Sequence, residues 1–194
     1  MFTGIVTALG TVSSLSLSSD AAVITICAPF CSELNSGDSV SVNGVCLTAI
    51  NISDETFSAD VMGQTLKMTT LGELGQGSKV NLELAMKAEN RFGGHMVQGH
   101  VDAVGHILDR TKNPDWDVVR ISLPTEISKY VVARGSITVE GTSLTVSNLG
   151  KDWFEVSLIP TTLEHTNLGT KAVGDKVNLE SDILARHIER LLQK

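Results

Sequence analysis

Hydrophobic and polar residues alternate over several short stretches of this chain. In residues 21–27, Ile24 and Ile26 fall on one face of an extended segment, while Val23 and Thr25 fall on the other. This alternation is typical of a β-strand with one buried face. The same reasoning predicts further strands in the first half over residues 4–12, 39–42, 45–48, 55–61 and 79–84.

Turn signals separate these strands. Asn43-Gly44 is the residue pair that best suits a tight hairpin, because both residues accept positive φ angles. Pro29 ends an earlier strand, and a loop or helical turn follows it up to Asp38. A short helix and turn are predicted over residues 64–74. The first half therefore contains about six strands at intervals of about 8 to 12 residues, which is the spacing of a small barrel or sandwich.

The second half repeats the first. Residues 1–6 (MFTGIV) are matched by residues 96–101 (MVQGHV) at a spacing of 95 (96 − 1 = 95). Residues 42–48 (VNGVCLT) are matched by residues 139–145 (VEGTSLT) at a spacing of 97 (139 − 42 = 97), so two residues are inserted between Pro124 and Val139. We therefore predict two domains related by internal duplication, over residues 1–95 and 96–194.

The second copy ends in an additional segment, residues 182–194. Asp182 can cap a helix there, and Leu184, Ile188 and Leu191 fall on one face of it. We predict a short C-terminal helix from about residue 183. A helix of about three turns is marginal in water unless its apolar face packs against something.

Composition and charge narrow the function. The net charge is −7 and the pI is about 5.2, and no run of Lys or Arg is present, which argues against nucleic-acid and membrane partners. No stretch is apolar over the length of a membrane span, and Met1 leads directly into strand-like sequence, so we expect a cytoplasmic protein. Three cysteines do not make a disulfide framework, and their spacing gives no reason to expect a metal.

Several motifs together resemble riboflavin synthase of the α-chain type, over the whole chain. These are the opening MFTGIV, the pair Asn-Gly-x-Cys-Leu-Thr and Gly-x-Ser-Leu-Thr, the junction Gly-Gly-His-x-x-x-Gly-His, and the repeated Val-Asn-Leu-Glu. The resemblance implies an all-β fold of two tandem six-stranded Greek-key barrels, each binding one 6,7-dimethyl-8-ribityllumazine. It implies dismutation of two such molecules into riboflavin and 5-amino-6-(D-ribitylamino)uracil, without a cofactor.

The resemblance also implies a homotrimer, in which the first barrel of one protomer meets the second barrel of another. An association with lumazine synthase, which makes the substrate, is a further partner that it suggests. The duplication suits this chemistry, because the reaction moves a four-carbon unit between two identical molecules. Positioning two copies of one ligand removes much of the barrier to such a reaction.

Two strand positions are the first candidates for catalysis. Cys46 and Ser143 correspond in the two copies, and a thiol and a hydroxyl there can position or attack the ring, or pass on protons. Thr48 and Thr145 follow two residues later and can bond the ring or the ribityl hydroxyls. The alternatives are a buried, inert cysteine and threonines that are present for their β-propensity.

His100 is the titratable candidate. It stands where the first copy has the apolar Ile5, so it makes the two predicted pockets chemically different. The alternative is a surface histidine near the junction. His95 flanks the same junction. We expect ordinary surface or interface positions for the other histidines, His106, His165 and His187.

By resemblance, further residues contact the ligands. The first pocket is expected to be lined by Gly4, Ile5, Val6, Cys46, Leu47, Thr48, Asp60, Val61, Met62, Gly63, Gln64 and Thr65. The second is expected to be lined by Gly99, His100, Val101, Ser143, Leu144, Thr145, Ser157, Leu158, Ile159, Pro160, Thr161 and Thr162. Ser39, Arg134, Glu140 and Asp182 match further positions implicated in the family, where Lys and Asp often stand in place of Arg134 and Glu140.

Two other classes of protein remain as alternatives. The same double barrel resembles non-catalytic lumazine and flavin antenna proteins, which tend to lose members of the polar set in one copy, whereas Cys46, His100, Ser143 and Thr145 are all present here. A flavin-dependent reductase would need a glycine-rich strand-to-helix turn for a nucleotide, and the sequence has none.

Overall fold

Each copy of the repeat forms six strands, in the same order along the chain. The structure is a computed structural model that describes residues 1–193, so Lys194, the last residue of the predicted tail, lies outside the described residues. In the first copy the strands are β1 (Ala8–Leu17), β2 (Ala21–Cys27), β3 (Ser39–Val42), β4 (Val45–Thr48), β5 (Thr56–Met62) and β6 (Lys79–Leu84). Helical segments are a 3-10 turn (Cys31–Glu33), α1 (Gly63–Met68) and a second 3-10 turn (Thr70–Glu73).

The second copy repeats this arrangement and adds the predicted tail helix. Its strands are β7 (Ala103–Lys112), β8 (Asp117–Ser122), β9 (Ser136–Val139), β10 (Thr142–Leu149), β11 (Trp153–Leu158) and β12 (Lys176–Ser181). Its helices are α2 (Thr125–Ser128), α3 (Pro160–His165), a 3-10 turn (Asn167–Gly169) and α4 (Ile183–Leu192). The Asp182 carboxylate caps α4 by accepting a hydrogen bond from the Leu184 N–H at 3.0 Å.

The strand order in the first barrel is β4-β3-β6-β1-β2-β5. Read in the same direction around the closed second barrel, the order is β10-β9-β12-β7-β8-β11, so the two correspond strand for strand. The predicted all-β fold of two six-stranded barrels is confirmed. The second barrel is closed by a ladder between β10 and β11, whereas the first is closed by an isolated bridge between Ile50 and Ser58. Asn51 has a φ of 46°, which turns the chain out of the strand direction after β4 and shortens that seam.

Each barrel has its own apolar core. Phe57 is fully buried in the first and Phe154 in the second, and Ile24 and Ile26 are fully buried as the alternation predicts. The predicted bounds of β5 are displaced by one residue, and those of β1 are wrong. We expected β1 over residues 4–12, but it covers Ala8–Leu17, because Gly4 at a φ of 77° directs the opening residues away from their own barrel.

A buried polar cluster joins the two barrels around an approximate two-fold axis. We call Asn43, Asn81, Glu140, Asn167 and Asn178 the polar hub. Asn81 Nδ2 donates to the Glu140 backbone oxygen at 2.9 Å, and its counterpart Asn178 Nδ2 donates to the Asn43 backbone oxygen at 2.9 Å. Asn167 Nδ2 adds a bond to Glu140 Oε2 at 2.9 Å. The barrels are thus held in one register by directional bonds.

The hairpin tips meet at this axis. Gly44 and Gly141 have φ angles of 82° and 76°, and a Cβ on Gly44 would lie 2.8 Å from the Gly141 nitrogen. Gly77 has a similar φ of 88° but has no heavy atom within 4 Å of its Cβ position. Comparing Gly44 with Gly77 therefore separates two costs of adding a Cβ, that of the positive φ and that of close packing.

We expect Gly44→Ala to be much more destabilising than Gly77→Ala. Gly77→Ala should lower the free energy of unfolding by about 1–2 kcal/mol, the cost of a left-handed alanine. Gly44→Ala should cost at least about 2 kcal/mol more, because the methyl group overpacks the contact between the barrels. Urea unfolding of the two variants and the wild type measures this difference. Equal losses would contradict the close packing of the hairpin tips.

Candidate active site

Two short segments cross from one barrel to the other. We call residues 2–6 and 97–101 the exchange segments. They lie side by side, with the Phe2 N–H donating to the Val97 oxygen at 2.8 Å and the Val97 N–H to the Phe2 oxygen at 3.2 Å. The pair lies between the barrels, and both Phe2 and Val97 are buried.

Each exchange segment reaches a candidate catalytic residue of the opposite copy. The Ser143 N–H donates to the Gly4 oxygen at 2.7 Å, and the Cys46 N–H donates to the Gly99 oxygen at 2.8 Å. Only glycine fits at these contacts, since a Cβ on Gly4 would lie 2.6 Å from that of Ser143, and one on Gly99 would lie 2.7 Å from that of Cys46.

The predicted grouping of the two pockets is therefore wrong. The resemblance implies that Gly4, Ile5 and Val6 line the Cys46 pocket, and that Gly99, His100 and Val101 line the Ser143 pocket. The structure exchanges these segments, so His100 and Cys46 share one pocket. The physical reason is that each segment leaves its own barrel before β1 or β7 begins, so it reaches the pocket of the other copy.

The Cys46 pocket has a cavity of about 400 Å³. It lies between β4, α1 and the second exchange segment, and it is lined by Val45, Cys46, Met62, Gln64, Thr65, Met68, Thr69, Gly99, His100 and Val101. Thr48 stands two residues after Cys46 on the same face of β4 and is exposed. Asp60 is exposed near the end of β5, and the buried Gly63 begins α1.

The Ser143 pocket is the counterpart on the second barrel. A cavity of about 300 Å³ lies between the first exchange segment and α3, and it is lined by Val6, Thr7, Ala8, Leu9, Thr161, Glu164 and His165. Ser143 is not among the residues that line this cavity. It meets the same segment at Gly4, and Thr145 is exposed two residues further along β10. The adjoining residues Ser157, Ile159 and Pro160 are exposed, as is Ile5, while Thr162 is partly buried.

His95 is a functional candidate that sequence reasoning missed. Its Nδ1 lies 2.7 Å from the Ser143 hydroxyl oxygen, and its Nε2 is buried with no hydrogen-bond partner among the described residues. Burial lowers the pKa of His95 below that of a free imidazole, although the Asp182 carboxylate opposes this, so the ring is neutral near pH 7. A neutral imidazole beside a hydroxyl can accept its proton.

The repeat itself hid His95. Its counterpart at a spacing of 95 would precede Met1, so comparison of the copies could single out His100 but could not evaluate His95. The signal available was the Gly93-Gly94 pair before it. A Cβ on Gly94 would lie 1.9 Å from the Thr3 oxygen and 3.0 Å from the Ser143 Cβ, so the chain passes very close to Ser143 here.

Several predicted binding residues do not place their side chains in a pocket. Leu47, Val61 and Leu158 belong to the barrel cores, and Leu144 is packed against the second core, so their backbones are what a ligand can reach. Glu140 is fully buried in the polar hub, where burial raises its pKa against the nearby Lys171 ammonium. Three other predicted binding residues also lie elsewhere. Arg134 is in an exposed loop, Ser39 begins β3 opposite Thr48, and Asp182 caps α4.

Two buried glutamates hold the backbones of the exchange segments. Glu83 accepts from the Thr3 N–H at 2.7 Å and the Gly4 N–H at 2.9 Å. Its counterpart Glu180 (83 + 97 = 180) accepts from the backbone N–H groups of residues 98, 99 and 100 at 2.7, 3.0 and 3.0 Å. Burial raises the pKa of both carboxyls, that of Glu180 to about 7, although the N–H donors oppose this.

Residues 1–193 show neither a metal centre nor a membrane span. No group of three or more His, Cys, Asp or Glu side chains in this part of the chain is placed to hold a metal ion. No helix within it has the length and apolar character needed to cross a membrane. The three cysteines are free thiols.

The chain is similar to proteins of known function over its whole length. The lumazine binding domain family matches it twice, over residues 3–85 and 98–182. Riboflavin synthase of Mycobacterium tuberculosis (strain ATCC 25618 / H37Rv) is 54% identical over 198 residues, covering 100% of this chain and 98% of the relative. Riboflavin synthase of Bacillus subtilis (strain 168) is 41% identical over 195 residues, covering 100% and 91%.

Solved structures agree with this result. A crystal structure of LumP complexed with 6,7-dimethyl-8-(1'-D-ribityl) lumazine has a TM-score of 0.85 and 28% identity, and the match covers 93% of this chain and 99% of that one. LumP complexed with riboflavin has a TM-score of 0.87 at the same identity and coverage.

We expect Glu180 to make stability depend on pH. Its pKa is about 7 in the folded protein and 4.5 ordinarily, so the folded state binds the proton more tightly than the unfolded chain. The contribution is therefore stabilising at low pH and is lost as pH rises from about 4.5 to about 7, by up to about 3 kcal/mol. Urea unfolding across this range should show a shallower pH dependence for Glu180→Gln than for the wild type. An equal pH dependence of the free energy of unfolding in both proteins would contradict this role of Glu180.

Proposed function

The chain belongs to the riboflavin synthase family, and from this membership we infer that it converts two molecules of 6,7-dimethyl-8-ribityllumazine into riboflavin and 5-amino-6-(D-ribitylamino)uracil. It is a transferase, because a four-carbon unit passes from one lumazine to the other. The observation that carries this conclusion is the placement of two nucleophilic side chains at corresponding strand positions, each bonded through its backbone N–H to the exchange segment of the opposite copy. The Cys46 thiol stands in the first pocket and the Ser143 hydroxyl at the corresponding strand position of the second.

The reaction needs positioning more than it needs a strong catalyst. Two identical molecules must be held face to face, and orientation of this kind removes a large part of a bimolecular barrier. The exchange segments supply it, since each inserts between a catalytic strand and the opposite barrel. Gln64 and Thr65 in the first pocket and Thr161 in the second provide polar groups for the lumazine ring and ribityl chain.

Proton transfer is assigned to the His95 and Ser143 pair. One lumazine must lose a proton from a methyl group, and a neutral imidazole 2.7 Å from a hydroxyl forms a relay that can receive it. On the other barrel, Cys46 with the exposed His100 can attack or protonate the second ring. The two pockets are thus chemically unequal, as donor and acceptor roles require.

The working site is proposed to lie between protomers of a homotrimer, with the first barrel of one chain facing the second barrel of the next. The short junction of residues 92–94 fixes the two pockets of one chain relative to each other, which favours a pocket from a neighbouring chain. The tail helix supports assembly, because Leu184, Ile188 and Leu191 are 52%, 57% and 81% exposed. We place the trimer in the cytoplasm, where free thiols such as the three here persist. Association with lumazine synthase stays a prediction.

The purified protein should convert the lumazine into riboflavin and the diaminouracil product in equal amounts, without added metal or nucleotide. Ser143→Ala and His95→Gln should each lower kcat by about 100-fold, because each removes one half of a proton relay. The double variant should be little worse than either single variant, since the two side chains act as a unit. Riboflavin absorbance and product chromatography measure both results.

His106→Gln is the matched control, because His106 is exposed on β7 outside both pockets, and this variant should keep wild-type turnover. Lumazine binding without riboflavin formation by the wild type would favour a lumazine-binding or flavin-binding protein instead. Full activity of both Ser143→Ala and His95→Gln would show that the relay is not used.

Deletion of residues 183–194 should give smaller species that still bind lumazine but turn it over poorly. The reason is that the deletion removes the exposed apolar stripe of α4 and leaves both pockets within each chain intact. Sedimentation and riboflavin formation on the same sample test this. A truncated monomer with full activity would exclude a site between protomers.

A further inference from the structure

Glu83 and Glu180 link each barrel to the pocket of the other. Glu83 lies on β6 of the first barrel and holds the N–H groups of Thr3 and Gly4. The Gly4 oxygen in turn accepts from the Ser143 N–H on β10 of the second barrel at 2.7 Å. The chain of contacts therefore runs from a first-barrel carboxylate, through the first exchange segment, to a second-barrel catalytic residue.

The mirror arrangement starts from the second barrel. Glu180 lies on β12 and holds the N–H groups of residues 98–100. The Gly99 oxygen accepts from the Cys46 N–H on β4 of the first barrel at 2.8 Å. His100, which lines the same pocket as Cys46, has its own N–H bonded to Glu180 Oε2.

We propose that Glu83 and Glu180 are positioning residues for the reaction, and that each acts on the pocket of the opposite barrel. Glu83 fixes the exchange segment that contacts Ser143, and Glu180 fixes the exchange segment that contacts Cys46. Neither is assigned as a catalytic residue, because each acts through an exchange segment. The proposal rests on the proposed function, since it concerns the pockets in which that reaction takes place.

A carboxylate is the group that this task requires. Around Gly4 and Gly99 the exchange segments lie outside the strands, so their N–H groups have no ladder partner and would be buried without acceptors. The ionised carboxyl, which predominates for Glu180 above about pH 7, offers two acceptor oxygens and no donor, whereas a glutamine would turn an NH₂ group toward some of the same N–H donors. Loss of the carboxylate should therefore release the segment, and a displacement of about 1 Å at a catalytic residue can cost about 100-fold in rate.

Double-mutant cycles test the crossed pairing. Glu83→Gln should lower kcat at least about tenfold in the wild-type background and in Cys46→Ala, but less than about threefold in Ser143→Ala, because the group that it positions is already absent. Glu180→Gln should show the reverse, with the small effect in Cys46→Ala. In each case kcat per folded molecule should fall more than KM rises. The folded fraction of each variant must be measured by circular dichroism, because partial unfolding alone would also lower the apparent kcat without changing KM.

Glu155→Gln is the matched control, since it removes a hydrogen-bonded strand carboxylate that pairs with Arg120 on the barrel surface, away from both pockets. It should leave kcat unchanged. If either glutamine variant does not fold, Glu83→Asp and Glu180→Asp keep the charge on a shorter arm and should give the same crossed pattern with smaller losses.

Three results would overturn the proposal. The first is an equal loss of kcat in the Cys46→Ala and Ser143→Ala backgrounds, and the second is coupling of each glutamate to the catalytic residue of its own barrel. The third is an unchanged kcat in Glu83→Gln and Glu180→Gln. The same cycles measured on the dissociation constant for the lumazine make the test independent of catalysis. If the wild type binds lumazine but forms no riboflavin, the proposed function fails, while crossed coupling in binding would still support the positioning role.

Discussion

The structure depends on the pairing of the two exchange segments across the approximate two-fold axis. Phe2 and Val97 bond to each other through their backbones, and from that point the chain can reach Ser143 on one side and Cys46 on the other. Buried backbone groups must find partners: here the N–H groups of each segment are bonded by a glutamate of its own copy, whereas the Gly4 and Gly99 oxygens are bonded by the opposite barrel. As a result, neither pocket is complete within the barrel that carries its catalytic strand.

The polar hub explains why the two barrels keep one relative orientation. An apolar interface of the same size would tolerate small rotations, whereas the crossed bonds of Asn81 and Asn178 are directional and buried. The hub is also where the copies differ. The second copy has Glu140 where the first has Asn43, and Lys171 where the first has Leu74. The Lys171 Nζ lies 3.5 Å from Glu140 Oε2. A buried carboxylate without that ammonium would be strongly destabilising, so the two changes belong together.

Local sequence patterns predicted most of the fold. The alternation around Ile24 and Ile26 and the Asn43-Gly44 turn determine strands and hairpins from neighbours along the chain, and the repeat carries them into the second copy. The pockets were harder to predict, because Gly4 meets Ser143 and Gly99 meets Cys46 across a distance in sequence that no local pattern encodes. Glu83 illustrates the same limit, since alternation places it opposite the core, on a face that the first exchange segment then buries.

The duplication also explains how one chain can serve two chemical roles. Strict symmetry would give two identical pockets, but a donor and an acceptor lumazine need different groups around them. Around the two exchange segments the backbone contacts are equivalent and the side chains differ: His100 stands where the first copy has Ile5, Ser143 stands in place of Cys46, and His95 lies 2.7 Å from the Ser143 hydroxyl. The backbone contacts at Gly4 and Gly99 remain equivalent to within 0.1 Å, at 2.7 and 2.8 Å. We propose that this shared frame holds both ligands in matching orientations and that the unequal side chains decide which proton moves.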